Sequence, residues 1–218
     1  MSTRTRWWLT ALVLLLTVIQ LAVGAFSGLP QFAGKGFGAR LWAYPLMMLL
    51  VPAIWWGWRT RAARAAGEGR AAAYGRGVWE DGVPWGAFAL IMLPFLVDVS
   101  GNTLDLYDAV VWWDDANHFV NWIFLNAGLG LLLLHGIERP WARVLLVTGL
   151  GAILAIGWEL GEWYTFIRHG TELDTAYQDT LGDEALGTLG ALVAGLLLAR
   201  NRKVPAPGRD FSQSGRAV

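Results

Sequence analysis

The chain has 218 residues, 55% hydrophobic and 16% charged, with a formal net charge of zero at pH 7 and a mean hydropathy of +0.41. A soluble globular domain carries about 25% charged residues, so this composition has too little polar surface for water. It has no cysteine, which excludes disulfides, thiolate metal sites and a cysteine nucleophile, and its basic residues are scattered through short connections instead of forming the face that nucleic acid needs.

Six apolar segments approach the roughly 20 residues of helix that a bilayer span requires. They lie near 7–26, 37–58, 84–101, 117–136, 141–164 and 184–200. Arg4 and Arg6 precede the first, as in a signal peptide. Its apolar run exceeds the usual ~7–15 residues and no small-x-small cleavage site follows, so it reads as a retained helix. Many of the fourteen tryptophans stand near segment ends, where interfacial anchors belong. The stretch 59–84, rich in Ala, Gly and Arg, reads as a cytoplasmic linker.

With six spans, the basic residues sort to one side. Arg4, Arg6, Arg59, Arg61, Arg64, Arg70, Arg76, Arg139, Arg143, Arg200, Arg202, Lys203, Arg209 and Arg216 share that side, leaving Lys35, Arg40 and Arg168 on the other. Positively charged loops stay in the cytoplasm. The expectation is an all-α polytopic bundle with both termini inside, multi-pass in the bacterial cytoplasmic (inner) membrane with membrane lipids around it. Residues 1–202 form a single membrane domain, and 203–218 a disordered cytoplasmic tail.

Acidic residues sort the opposite way. Asp115, Glu172 and Glu184 suit plain external loops, but Asp98, Glu159 and Glu162 lie in or at the edge of apolar runs, where something must offset their desolvation. Residues three or four apart share a helix face. Glu159 and Glu162 are so spaced, as are Asp114, His118 and Asn121, then Asp179 and Asp183, and Asp98, Asn102 and Asp105 form a stripe on the third span. Four helices thus offer oxygen-rich stripes at one end, which is how bundles build metal sites.

So many carboxylates together require either protonation of several or a counter-ion. Arg168 is the nearby arginine that the sequence suggests, and it cannot neutralise the set. A divalent metal ion held by Asp114, His118, Glu159, Glu162, Asp179 and Asp183 is the economical answer, with Asp98, Asn102, Asp105 and Asn121 as accessories. Carboxylates with one imidazole and no sulfur suit the harder ions and leave the metal open. Paired Glu159 and Glu162 have little structural purpose at the end of a span, but the others also have a plain structural use. Asp114 and Asp179 suit helix N-caps, His118 suits a buried carbonyl donor, and His169 and Asp174 suit a solvated loop. His135, at the far end of the fourth span, reads as structural. Gly149, Gly151, Gly157, Gly161, Gly182, Gly187, Gly190 and Gly195 suit close packing of the last two spans.

At these residues the chain resembles the YjdF-like family of inner-membrane proteins. Trp113-Asp114-Asp-Ala-Asn-His118-Phe119, Glu159-Leu-Gly-Glu162-Trp163 and Asp179-Thr180-Leu-Gly-Asp183 match its three motifs in order. A fainter likeness to VanZ-like envelope proteins rests on the His-Phe step, the Glu position and the Asp before a glycine-rich last helix. The resemblance implies a multi-spanning fold and a shared site, and assigns no activity. The reading that follows is a membrane enzyme with Glu162 as general base and His118 beside it, acting on a lipid-linked envelope substrate. A proton- or cation-coupled transporter and a non-catalytic envelope scaffold stay open. Sequence says nothing about oligomeric state.

Overall fold

The structure, a computed structural model, describes residues 1–65, 82–134, 136–165, 167–169 and 176–200. Among these the chain is all helical: α1 Thr3–Phe26, α2 Phe37–Ala65, α3 Trp85–Thr103, the single turn α4 Leu106–Ala109, α5 Trp113–Leu133, α6 Pro140–Thr165 and α7 Ala176–Arg200. Short 3-10 turns occupy Pro30–Phe32 and Ile167–His169. Tail residues 203–218, His135, Glu172, Asp174 and linker residues 66–81 lie outside the described residues.

Among the described residues, five helices are long and apolar enough to cross a membrane: α1, α2 over Phe37–Ala62, α3, α6 and α7. The fourth expected span, α5, is 21 residues long but begins with Asp114, Asp115, Asn117, His118 and Asn121. Those polar side chains dilute its hydropathy. Prolines 45, 52 and 94 sit inside α2 and α3, as membrane helices tolerate where neighbouring groups satisfy the freed backbone.

The packing runs α2 on α1, α1 on α3, α3 on α5, and α5 and α6 on α7. Glycines set the closest approaches, because association inside lipid depends on backbone proximity. A Cβ on Gly190 would meet the Phe119 carbonyl oxygen, and one on Gly187 the Trp122 ring at 2.9 Å. Gly151 faces Ala191, Gly195 the Val144 backbone and Gly128 the Ala87 carbonyl. Gly149, Gly157, Gly161 and Gly182 face open space, so only half of the glycines expected between the last spans lie at contacts. Leu134, Val147 and Ala194 fill one end of the bundle, and Leu21, Phe37, Tyr44 and Val99 the other, with Phe95 and Trp158 packed on them.

Candidate metal centre

Two helices start earlier than their hydropathy suggests. Helix α5 begins at Trp113 after an N-cap at Trp112 that makes no side-chain cap bond, and α7 begins at Ala176. Asp114 and Asp179 are therefore inside their first turns and are not N-caps. One turn further on, His118 and Asp183 are carried into the bundle, where α5 and α7 pack together.

His118 is the centre of the cluster. Asp183 Oδ1 stands 3.5 Å and Glu159 Oε1 4.0 Å from its Nδ1, and Asp114 Oδ1 stands 3.7 Å from its Nε2. Nδ1 is buried and has no hydrogen-bond partner among the described residues. Ligand atoms lie within 4.8 Å of one another in two sets, Asp114 with His118 and Asp183, and His118 with Glu159 and Glu162. A direct hydrogen bond would bring such atoms to about 2.9 Å. Two ligands each about 2.1 Å from one ion stand about 3–4 Å apart, which is the spacing of Asp183 and Glu159 from Nδ1. Asp183 is 5% exposed, and His118 is its one ion-pair neighbour among the described residues. A carboxylate so buried needs compensation.

The cluster borders a cavity of about 690 Å³ lined by Asp114, Asn117, His118, Asn121, Glu162, Asp179 and Asp183, with aromatic walls from Tyr44, Phe95, Trp122 and Trp158. Exposed Asp179 lines it outside both ligand sets, and Glu159, at 5% exposure, lies behind the wall.

The opposite wall is charge-balanced. Asp98 Oδ2 accepts from Arg40 Nη1 at 3.1 Å and from the Tyr44 hydroxyl at 2.7 Å. Its Oδ1 accepts from the Tyr107 hydroxyl at 2.7 Å and from Asn102 Nδ2 at 3.4 Å. Asn117 donates to the Tyr107 oxygen, and Asn121 Nδ2 to Asn117 Oδ1 at 2.7 Å. Burial first, then the Asp98 charge, pushes the Tyr107 phenol well above its ordinary pKa, so it keeps its proton. At the rim Lys35 Nζ meets Asp108 Oδ2 at 2.6 Å, and this bond and charge hold the Asp108 carboxyl below its ordinary range.

Two expectations are corrected here. Arg40, not Arg168, is the arginine of the site; the Arg168 guanidinium stacks 3.7 Å over the Tyr164 ring. Asp105 leaves the α3 stripe because the helix ends at Thr103, and Asp105 takes φ 59° in the turn that follows. Asp98 and Asn102 remain together. Lys35, Arg40, Tyr44, Tyr107, Asn117 and Trp158 also line the cavity, and the sequence reading missed them as site residues. Arg40 did carry a signal, as a basic residue on the acidic side.

No curated protein and no solved structure matches the chain. Residues 82–204 match a family model described as "Predicted membrane protein (DUF2238)", and this match spans more than half of the chain, which therefore belongs to that family.

Proposed function

We propose that this chain is a six-span protein of the bacterial inner membrane, with both ends cytoplasmic, and that its cavity is the divalent-metal centre of an enzyme acting on a lipid-linked envelope substrate. One observation carries the metal reading. Buried His118 Nδ1, without a hydrogen-bond partner among the described residues, faces buried Asp183 at ligand-to-ligand spacing. The arginine distribution supports the orientation, since the acidic end is the end poor in basic residues. The YjdF-like motifs all fall within the matched residues 82–204, which supports that likeness and a shared site.

In this reading His118 binds through Nδ1, with Asp183, Glu159 and Glu162 as carboxylate ligands. Asp114, on the Nε2 side, orients the imidazole, as the outer partner of a metal-bound histidine usually does. Asp179 attracts the ion at the mouth. The ion would supply Lewis acidity or an activated water, and Glu162, which faces the cavity, would take the proton. The wall holding Arg40 and Lys35 gives an anionic head group two cations, each already paired with an aspartate. Against transport by alternating access, the cavity lining on α5 ends at Leu125, and Gly128 and Gly130 beyond it are packed against Ile91 and Leu198.

The test is turnover of an envelope-lipid extract by the protein reconstituted in vesicles, with and without chelator. Product that depends on added divalent metal and is lost at least about 100-fold in Glu162→Gln supports the enzyme. Equal turnover by wild type and Glu162→Gln would falsify it.

A further inference from the structure

We propose that the cavity opens sideways into the bilayer between α2 and α6, and that this gap holds the hydrocarbon chain of a lipid whose head group sits in the cavity. The lipid ligand is taken over from the proposed function, and the gap gives it a route that depends on neither the metal nor turnover.

Five long helices line the cavity: α2, α3, α5, α6 and α7. Around it α2 packs on α3, α3 on α5, α5 on α7 and α7 on α6. The ring is left unclosed between α2 and α6, which make no extended packing contact among the described residues. Tyr44 and Trp158 approach across the opening with ring centroids 6.5 Å apart. One turn nearer the helix ends, Arg40 and Glu162 line the cavity. Both helices are long and apolar enough to span, so lipid chains lie against this joint.

The cavity is layered as an amphiphile is. Its lining passes from Arg40 to Tyr44 on α2 and from Asp98 to Pro94 on α3. On α5 it passes from His118 to Trp122, and on α6 from Glu162 to Trp158. Each step is about one turn toward the middle of the helix, and each replaces a charged or polar group with an apolar or aromatic wall. A small polar ligand would leave the deeper layer unmatched, whereas a lipid fills both. At about 690 Å³ the cavity has the size of a site for a drug-sized ligand, so a long chain has to continue outside it.

Helix α6 keeps the way out clear. It buries Ala155 and Glu159 on the flank toward α7, where Ala155 lies beside Gly187. Gly157 and Gly161 fall on the opposite flank of Trp158 and Glu162. Both are exposed, and a Cβ on either would meet nothing within 4 Å. Two absent side chains one turn apart leave room for a chain beside Trp158.

The test uses the full chain in phosphatidylcholine nanodiscs. They are doped with phosphatidic acid or, separately, with phosphatidylethanolamine, each carrying a diazirine midway along one acyl chain. After irradiation the adducts are mapped by peptide mass spectrometry. With at least one head group, adducts on residues 157–161 should exceed those on Leu12 and Leu15, which α1 exposes, by about fivefold, the mark of a held lipid. Unlabelled lipid of the same head group removes the excess. Gly161→Trp, which fills the opening, abolishes it without lowering the melting temperature, while Gly149→Trp, on the same helix with open space around it, leaves it in place. Uniform labelling with both head groups, or an excess that survives in Gly161→Trp, overturns the proposal. A labelled gap without turnover keeps the route and removes the enzyme; turnover with uniform labelling does the reverse.

Discussion

Arg40→Met removes the guanidinium from a buried carboxylate while keeping most of the side chain's apolar volume. Arg40 and Asp98 side chains are each 17% exposed, so water screens the pair little. Breaking a buried ion pair by deleting one partner costs about 3–5 kcal/mol. Asp98 would retain the Tyr44 and Tyr107 hydroxyls and Asn102, and hydrogen bonds between membrane helices average only about 0.6 kcal/mol. The expected loss is therefore near the lower limit, about 3 kcal/mol. Asp98→Asn should cost a similar amount by stranding the guanidinium, whose carbon lies 5.7 Å from the Phe37 ring and 5.8 Å from the Tyr44 ring. The double variant removes both charges of the pair, so it should fall short of the sum by about 2 kcal/mol. The assay is reversible unfolding in mixed micelles of rising dodecyl sulfate content, followed by tryptophan fluorescence. Additivity within about 0.5 kcal/mol would show that the pair is not coupled and refute the reasoning.

Gly190→Ala puts a methyl group against the Phe119 carbonyl oxygen and Trp122 Cβ, backbone and near-backbone atoms that cannot swing aside. It should cost about 1–3 kcal/mol in the same assay, while Gly149→Ala, which meets nothing within 4 Å, should be neutral; equal effects would mean that α7 does not pack on α5 as described. Lys35 lowers the exposed Asp108 carboxyl, so its contribution is present above the unfolded value of about 3.9 and is lost as pH falls through the lower folded value. The melting-temperature gap between wild type and Asp108→Asn should be small near neutrality, shrink with salt and close in strong acid. A gap that widens on acidification would reverse the sign of this linkage.

The acidic end of the bundle was legible in sequence because the signals that made it were local. Glu159 with Glu162, and Asp114 with His118, share faces by spacing alone, and the structure gathers the three carboxylates around the His118 imidazole. What spacing could not show was the partner of Asp98. Arg40 lies 58 residues away on another helix, and only the packing of α2 and α3 brings them together. Asp105 failed for a local reason, since the stripe assumed that the helix continued past Thr103, where the chain instead turns through a positive φ. The boundaries of α5 and α7 were drawn too late because hydropathy discounts the polar first turns that carry Asp114 and Asp179.

The most direct test of the central claim is the metal content of the purified full chain by elemental mass spectrometry, wild type beside Asp183→Asn and His118→Ala. The account predicts about one equivalent of divalent metal in the wild type and near none in either variant. Equal content in all three, or none in the wild type after purification with added metal, would contradict it.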